Sequence, residues 1–111
     1  MTFTSVLAQA TVTELAAAAP WYTTLFGRGP DGRPMDGLLQ WQLTASAGVQ
    51  VWAEPQRAGR STLVLVVDDL DAVAARLTAA GIGHGSPEPG GGGRVLQLTD
   101  PHGNRVVLTG S

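Results

Sequence analysis

Ser61-Thr-Leu-Val-Leu-Val-Val67, running into Asp68-Asp69-Leu70, repeats the pattern of Ser5-Val-Leu-Ala-Gln-Ala-Thr-Val12, running into Thr13-Glu14-Leu15. Leu70 stands 55 positions after Leu15, and Glu14 and Asp69 fall in the same register. Each stretch is an apolar strand followed by a polar helix start, where an acidic side chain suits both the free amides and the dipole. After the first, Leu15, Ala18, Tyr22 and Phe26 recur at helical spacing up to Gly27, with Pro20 expected to bend the helix. After the second, Leu70, Val73, Leu77 and Ala80 do the same up to Gly81, and Asp68 and Asp69 are expected to cap it.

Working outward, each helix is followed by strand-like runs. Gly37–Thr44 and Gly48–Glu54 flank an Ala45-Ser-Ala-Gly connection, while Val95–Thr99 and Arg105–Leu108 flank Asp100-Pro-His-Gly-Asn104. Gly29-Pro-Asp-Gly-Arg-Pro34 reads as a loop, Pro55–Gly59 as a connector and Gly90–Gly93 as a flexible loop. Neither half is large enough to bury its own sheet, so the halves are expected to pack together. The reading is one domain over 1–111, with modules at about 1–55 and 60–111.

Composition narrows the function. A chain of 111 residues with 43% apolar and 14% charged residues is a folded globule with room for one core. No run approaches the roughly 20 apolar residues of a membrane span, and Met1 to Thr4 lacks a basic leader region, so a cytoplasmic protein is expected. Its net charge is −2, and Arg28, Arg33, Arg57, Arg60, Arg76, Arg94 and Arg105 are scattered, which argues against nucleic acid as a partner. Cysteine is absent, removing disulfides, thiolate nucleophiles and Cys-based metal sites. The two histidines, His84 and His102, both read as solvated loop residues.

Trp21-Tyr22 with Leu25-Phe26-Gly27, Val66-Val67-Asp68-Asp69-Leu70 and Asp100-Pro-His-Gly-Asn104, in that order inside a duplication, resemble the vicinal oxygen chelate (glyoxalase/bleomycin-resistance) superfamily over essentially the whole chain. The resemblance implies an α+β fold of paired βαβββ modules forming a curved mixed sheet around a concave cleft, completed by a homodimer. Enzymes of that superfamily hold a divalent metal with His or Glu on the first and last strand of each module. The matching positions here are Leu7, Gln50, Thr62 and Val107. Leu7 and Val107 cannot coordinate a cation, and Thr62 and Gln50 are weak neutral donors, so neither a metal nor another cofactor is expected.

A cleft with apolar and amide walls remains. Strand alternation puts Leu7, Gln9 and Thr11 on one face, with Thr62, Val64 and Val66 as the counterpart. Gln50 and Trp52 share a face with them, and Trp41 is placed beside them with its strand register open. Indole offers a stacking surface and Gln offers donors and an acceptor, which suits a flat guest. The expected ligand-binding set is therefore Leu7, Gln9, Trp41, Gln50, Trp52, Thr62 and Val107. No nucleophile, base and orienting group stand together, so the set of catalytic residues is empty. The resulting expectation is a metal-free binding protein that sequesters a small aromatic or polycyclic ligand, as antibiotic-resistance members of the resembled family do. The alternatives are a glyoxalase- or dioxygenase-like lyase or isomerase, a metal-free enzyme, or a partner module on the same scaffold.

Overall fold

A computed structural model describes residues 1–90 and 92–111. The chain runs β1 (Val6–Val12), α1 (Leu15–Phe26), β2 (Gly32–Met35), β3 (Leu38–Thr44), β4 (Ala47–Ala53), a 3₁₀ turn at Pro55–Arg57, β5 (Thr62–Val66), α2 (Leu70–Ala79), β6 (Glu88–Gly90), β7 (Gly93–Thr99) and β8 (Arg105–Gly110). The strands form two four-stranded sheets, ordered β1-β4-β3-β2 and β5-β8-β7-β6. Adding four to each strand number of the first gives the second. In each sheet the first strand runs parallel to the last strand of its module and the other pairs are antiparallel. The fold is α+β, two βαβββ modules, as the repeat implies.

Local chemistry departs from the sequence reading in several places. Gly32–Met35, read as loop, is a short edge strand whose pairing to β3 shifts between Gly32 and Met35. An edge position tolerates Pro34, since only one side of the strand needs its amides. Helix α1 continues through Pro20, and its N-cap residue is Glu14, with no side-chain cap. Asp69 alone caps α2, its carboxylate accepting from the Ala72 amide at 3.1 Å. Of the Gly90–Gly93 stretch, Gly90 ends β6 and Gly93 begins β7, while residue 91 lies outside the described residues.

One hydrophobic cluster spans both modules. Ala10, Val12, Val49, Val51, Trp41, Tyr22 and Leu25 from the first pack with Leu63, Leu70, Leu77, Leu96, Leu98 and Leu108 from the second. Tyr22 and Phe26 of α1 lie 6.2 and 5.4 Å from the Trp41 ring. From α2, Arg76 reaches across and donates to the carbonyls of Thr24 and Leu25 at 2.9 and 2.6 Å. A cation there completes the last turn of α1 and suits its dipole.

A polar knot fixes how the modules meet. Asp100 is 3% exposed, and its carboxylate accepts from Tyr22 Oη at 2.7 Å, Asn104 Nδ2 at 2.8 Å, and the amides of His102 and Asn104 at 2.8 and 2.9 Å. Four donors replace the water the buried carboxylate has lost. Burial, first, and then the bond and charge of Asp100 hold the Tyr22 hydroxyl protonated, far above its usual range. Asn104, fully buried, donates to the Thr11 carbonyl at 2.8 Å and accepts from the Ser61 amide at 2.8 Å, so one side chain ties β1 to the start of β5. The Ser61 hydroxyl returns a bond by accepting from the Thr11 amide at 3.0 Å. Gly59 is required beside this knot, because it adopts φ +80° and a Cβ there would lie 2.3 Å from the His102 carbonyl oxygen.

An Asn104→Ala protein would keep its backbone turn but leave the Ser61 amide without this partner, take one of four donors from the buried Asp100 carboxylate, and leave the Thr11 carbonyl only the Gly59 amide at 3.2 Å. At about 1–3 kcal/mol for an unsatisfied buried group, thermal or urea unfolding is expected to show a loss of roughly 3 kcal/mol. A loss below roughly 0.5 kcal/mol would show that the knot is dispensable.

Candidate functional site

Strand parity decides which side chains can meet a ligand. Pairing places Gln9 beside Gln50 and Gln50 beside Gln40, so the three point to one side of the first sheet. Their amides are joined. Gln9 Nε2 donates to Gln50 Oε1 at 3.1 Å, and Gln50 Nε2 donates to Gln40 Oε1 at 3.0 Å. Gln40 Nε2 then approaches Gln42 Oε1 at 3.5 Å. Next to this row, Thr11, Trp52, Leu38 and Met35 pair across the same face. On its other side Leu7, Gly48 and Gln42 do so.

Gly48 makes that last row possible. A Cβ at this position would lie 2.7 Å from the Trp41 carbonyl oxygen, 3.0 Å from Leu7 Cδ2 and 3.4 Å from Gln42 Oε1. The missing side chain gives Leu7 and Gln42 their room.

Half-buried Trp52 donates through Nε1 to Glu54 Oε1 at 3.0 Å, and Glu54 also faces Arg57 at 3.6 Å. The indole N–H is thereby occupied and the ring is left as a flat apolar surface. Trp41 is on the opposite side. It is fully buried among the helix-side residues, with Nε1 donating to the Arg28 carbonyl at 2.9 Å, so it leaves the ligand-facing set. The alternation Leu39, Gln40, Trp41, Gln42 contains the reason: polar and apolar residues take turns, so a Trp between two Gln belongs to the core side. The same alternation adds Gln40 and Gln42 to the face, which sequence reasoning missed.

In the second module, Thr62 and Val64 pair with Arg105 and Val107, and Val107 with Gln97. Thr62 and Val64 are exposed and Val107 is half-buried. Thus the expected residues divide into Leu7, Gln9, Gln50 and Trp52 on one sheet and Thr62 and Val107 on the other. Leu7 and Gln9 stand on β1 and Thr62 on β5, each an outer strand of its sheet, while Gln50 and Trp52 stand on β4 and Val107 on β8.

Both histidines lie outside helices and strands, as read, but neither is fully solvated. His102 is half-buried; its Nδ1 accepts from the Thr13 amide at 3.4 Å, and its Nε2 is buried with no partner among the described residues. His84, also half-buried, folds back on α2, with Nε2 2.8 Å from Thr78 Oγ1 and Nδ1 2.6 Å from the Gly85 carbonyl. The sequence could not show either, because both depend on chain segments returning from elsewhere.

A family model described as the glyoxalase-like domain matches residues 6–109. The chain belongs to this family, within the vicinal oxygen chelate superfamily. Among solved structures, the glyoxalase-like chain is similar to a glyoxalase/bleomycin resistance protein from Catenulispora acidiphila DSM 44928. They share 28% identity over 96% of this chain and 97% of that one, with a TM-score of 0.88. It is also similar to TnmS3, an antibiotic binding protein from Streptomyces sp. CB03234, at 26% identity over 96% and 93% with a TM-score of 0.80. A bleomycin-binding protein solved with bleomycin shares the fold at 21% identity over 96% and 98%, TM-score 0.80. No protein of curated function matches by sequence.

The metal implied by the enzymes of this superfamily does not fit the glyoxalase-like chain. The positions that the resemblance matches to the metal ligands hold Leu7, Gln50, Thr62 and Val107, and the Gln50 amide is already engaged on both sides by Gln9 and Gln40. Among the described residues, no three His, Asp or Glu side chains converge.

One electrostatic feature lies at the end of this face. The Asp31 carboxylate accepts from the Gln42 amide and from Arg28, each at 2.6 Å. These bonds, the Gln42 amide first, lower its pKa below the ordinary 3.8. A depressed pKa means the contacts contribute at and above the ordinary value and are lost as pH falls through the lower folded one. The Gln42 amide resonance in an NMR titration is therefore expected to move with a midpoint below 3.8, and to lose that step in Asp31→Asn. A step at or above the ordinary value would contradict the pairing. The two tryptophans give a second check. Trp41→Ala is expected to cost about 3–5 kcal/mol of stability, as for a large core side chain, and Trp52→Ala clearly less. Equal costs would contradict the assigned faces.

Proposed function

We propose that this protein is a metal-free binder that sequesters a small aromatic or polycyclic organic molecule. The observation that carries the reading is the hydrogen-bonded amide row beside the half-buried Trp52 ring, on the sheet face where related enzymes would carry metal ligands. Amides hold a guest by hydrogen bonds and the ring holds it by stacking, and neither supplies a proton or a nucleophile. The names of related structures, a bleomycin-binding protein and an antibiotic binding protein, favour an antibiotic-like guest. Tight binding in the cytoplasm would confer resistance by lowering the free concentration. Leu7, Gln9, Gln50, Trp52, Thr62 and Val107 are the proposed contacts.

The proposal includes a homodimer. β1 and β5 are edge strands, and Leu7, Val64 and Val66 on them are 42, 62 and 81% exposed. Exposed aliphatic edges invite a covering surface. A second copy would bring its own edges and close the open amide face. A crevice of about 190 Å³ in the single chain, between Leu25, Phe26, Leu65, Val66, Val73 and Arg76, includes none of the proposed contacts.

Tryptophan fluorescence titrated with a panel of flat aromatic natural products tests the reading. Saturable quenching is expected, with Trp52→Ala weakening it at least about tenfold, or 1.4 kcal/mol. Absence of quenching across the panel, or stoichiometric Ni, Zn, Fe or Mn in protein purified without chelator, would overturn it.

A further inference from the structure

The amide row has a direction, and the turn between β3 and β4 sets it. Oxygen and nitrogen of a side-chain amide are distinguished by what faces them. Gln42 Nε2 faces two backbone carbonyls, Thr44 O at 2.9 Å and Ala47 O at 3.2 Å. Carbonyls only accept, so both hydrogens of this nitrogen are engaged and Oε1 is forced to the other side. There it meets Gln40, which must present Nε2, since the reverse would set oxygen against oxygen. Gln40 Oε1 is thereby turned to Gln50, whose Nε2 donates to it, and Gln50 Oε1 to Gln9, whose Nε2 donates in turn. Two turn carbonyls thus orient four side chains across three strands.

The row ends at Gln9 Oε1, which has no partner among the described residues and lies on the exposed edge strand β1. We infer that the site selects guests presenting a hydrogen-bond donor to this oxygen, a phenolic hydroxyl or ring N–H on a flat aromatic frame, and that Gln42 is the positioning residue that fixes this preference. The inference rests on the binding function proposed above. A guest with only ether or carbonyl oxygen at that point meets a lone pair with a lone pair. Gln42 need not touch the guest. It acts by holding Gln40, and through it Gln50 and Gln9, in a single orientation.

Matched probes separate the two levels. 2-Naphthol and 2-methoxynaphthalene have the same ring frame and differ in the donor. Their affinities can be followed by the side-chain amide shifts of ¹⁵N-labelled protein. The unaltered protein is expected to prefer 2-naphthol by about five- to tenfold, the value of one net hydrogen bond of about 1 kcal/mol. Gln42→Leu is expected to bind both but bring the ratio near one, because the remaining three amides can then reverse. Gln9→Leu, at an exposed position, removes the terminal acceptor and should abolish the preference even if the Gln42 variant does not fold. Equal affinities in the unaltered protein would overturn the inference while leaving the binding function standing. A preference undiminished in Gln42→Leu would overturn the role of the turn. Failure of both probes to bind would sink the inference and count against the binding function too.

Discussion

A buried carboxylate without a cation organises this molecule. Asp100 is held by four donors, one of them the Tyr22 hydroxyl from the other module. Leaving any buried lone pair unmatched would cost more than each bond contributes, so the arrangement is strongly specified even though no single bond is strong. Asn104 extends the constraint to β1 and to the start of β5. Because these bonds hold one end of β1, they also hold the strand on which Leu7 and Gln9 stand. The position of the candidate site therefore depends on a turn that does not belong to it.

Upon that frame, the two sides of the first sheet have separate duties. Val49, Val51 and Trp41 face the helix and bury, while Gln40, Gln50 and Trp52 alternate with them and remain available. A single-residue slip in pairing would exchange the two sets. The large buried Trp41, fixed by its bond to the Arg28 carbonyl and by its aromatic neighbours, guards against that slip. Core packing and the presentation of the amide row are one constraint seen from two sides.

Much of the architecture was legible because it is written twice. The spacing between Leu15 and Leu70, the helix periodicity and the apolar strands gave both modules, and the three short motifs gave the superfamily. Capping was less legible: Thr13 and Glu14 are both good helix-start residues, and a tertiary contact of the Thr13 amide to His102 helps decide the local geometry. At the site, Gln50 and Trp52 followed from strand alternation, whereas Trp41 was left open although the Gln residues flanking it held the answer. The bonds between Gln9, Gln50, Gln40 and Gln42 could not be read, since they require register across three strands. His102 was misread for a similar reason: its surroundings come from the far end of β1.

Gly48 carries a consequence that reaches both surfaces. One hydrogen there leaves a gap bounded by a carbonyl of the core strand on one side and by the Leu7 and Gln42 side chains on the other. Any larger group would have to displace peptide backbone, which is stiff, rather than a side-chain tip. Side chains elsewhere on this face can be exchanged at their tips, but this gap has no room for one.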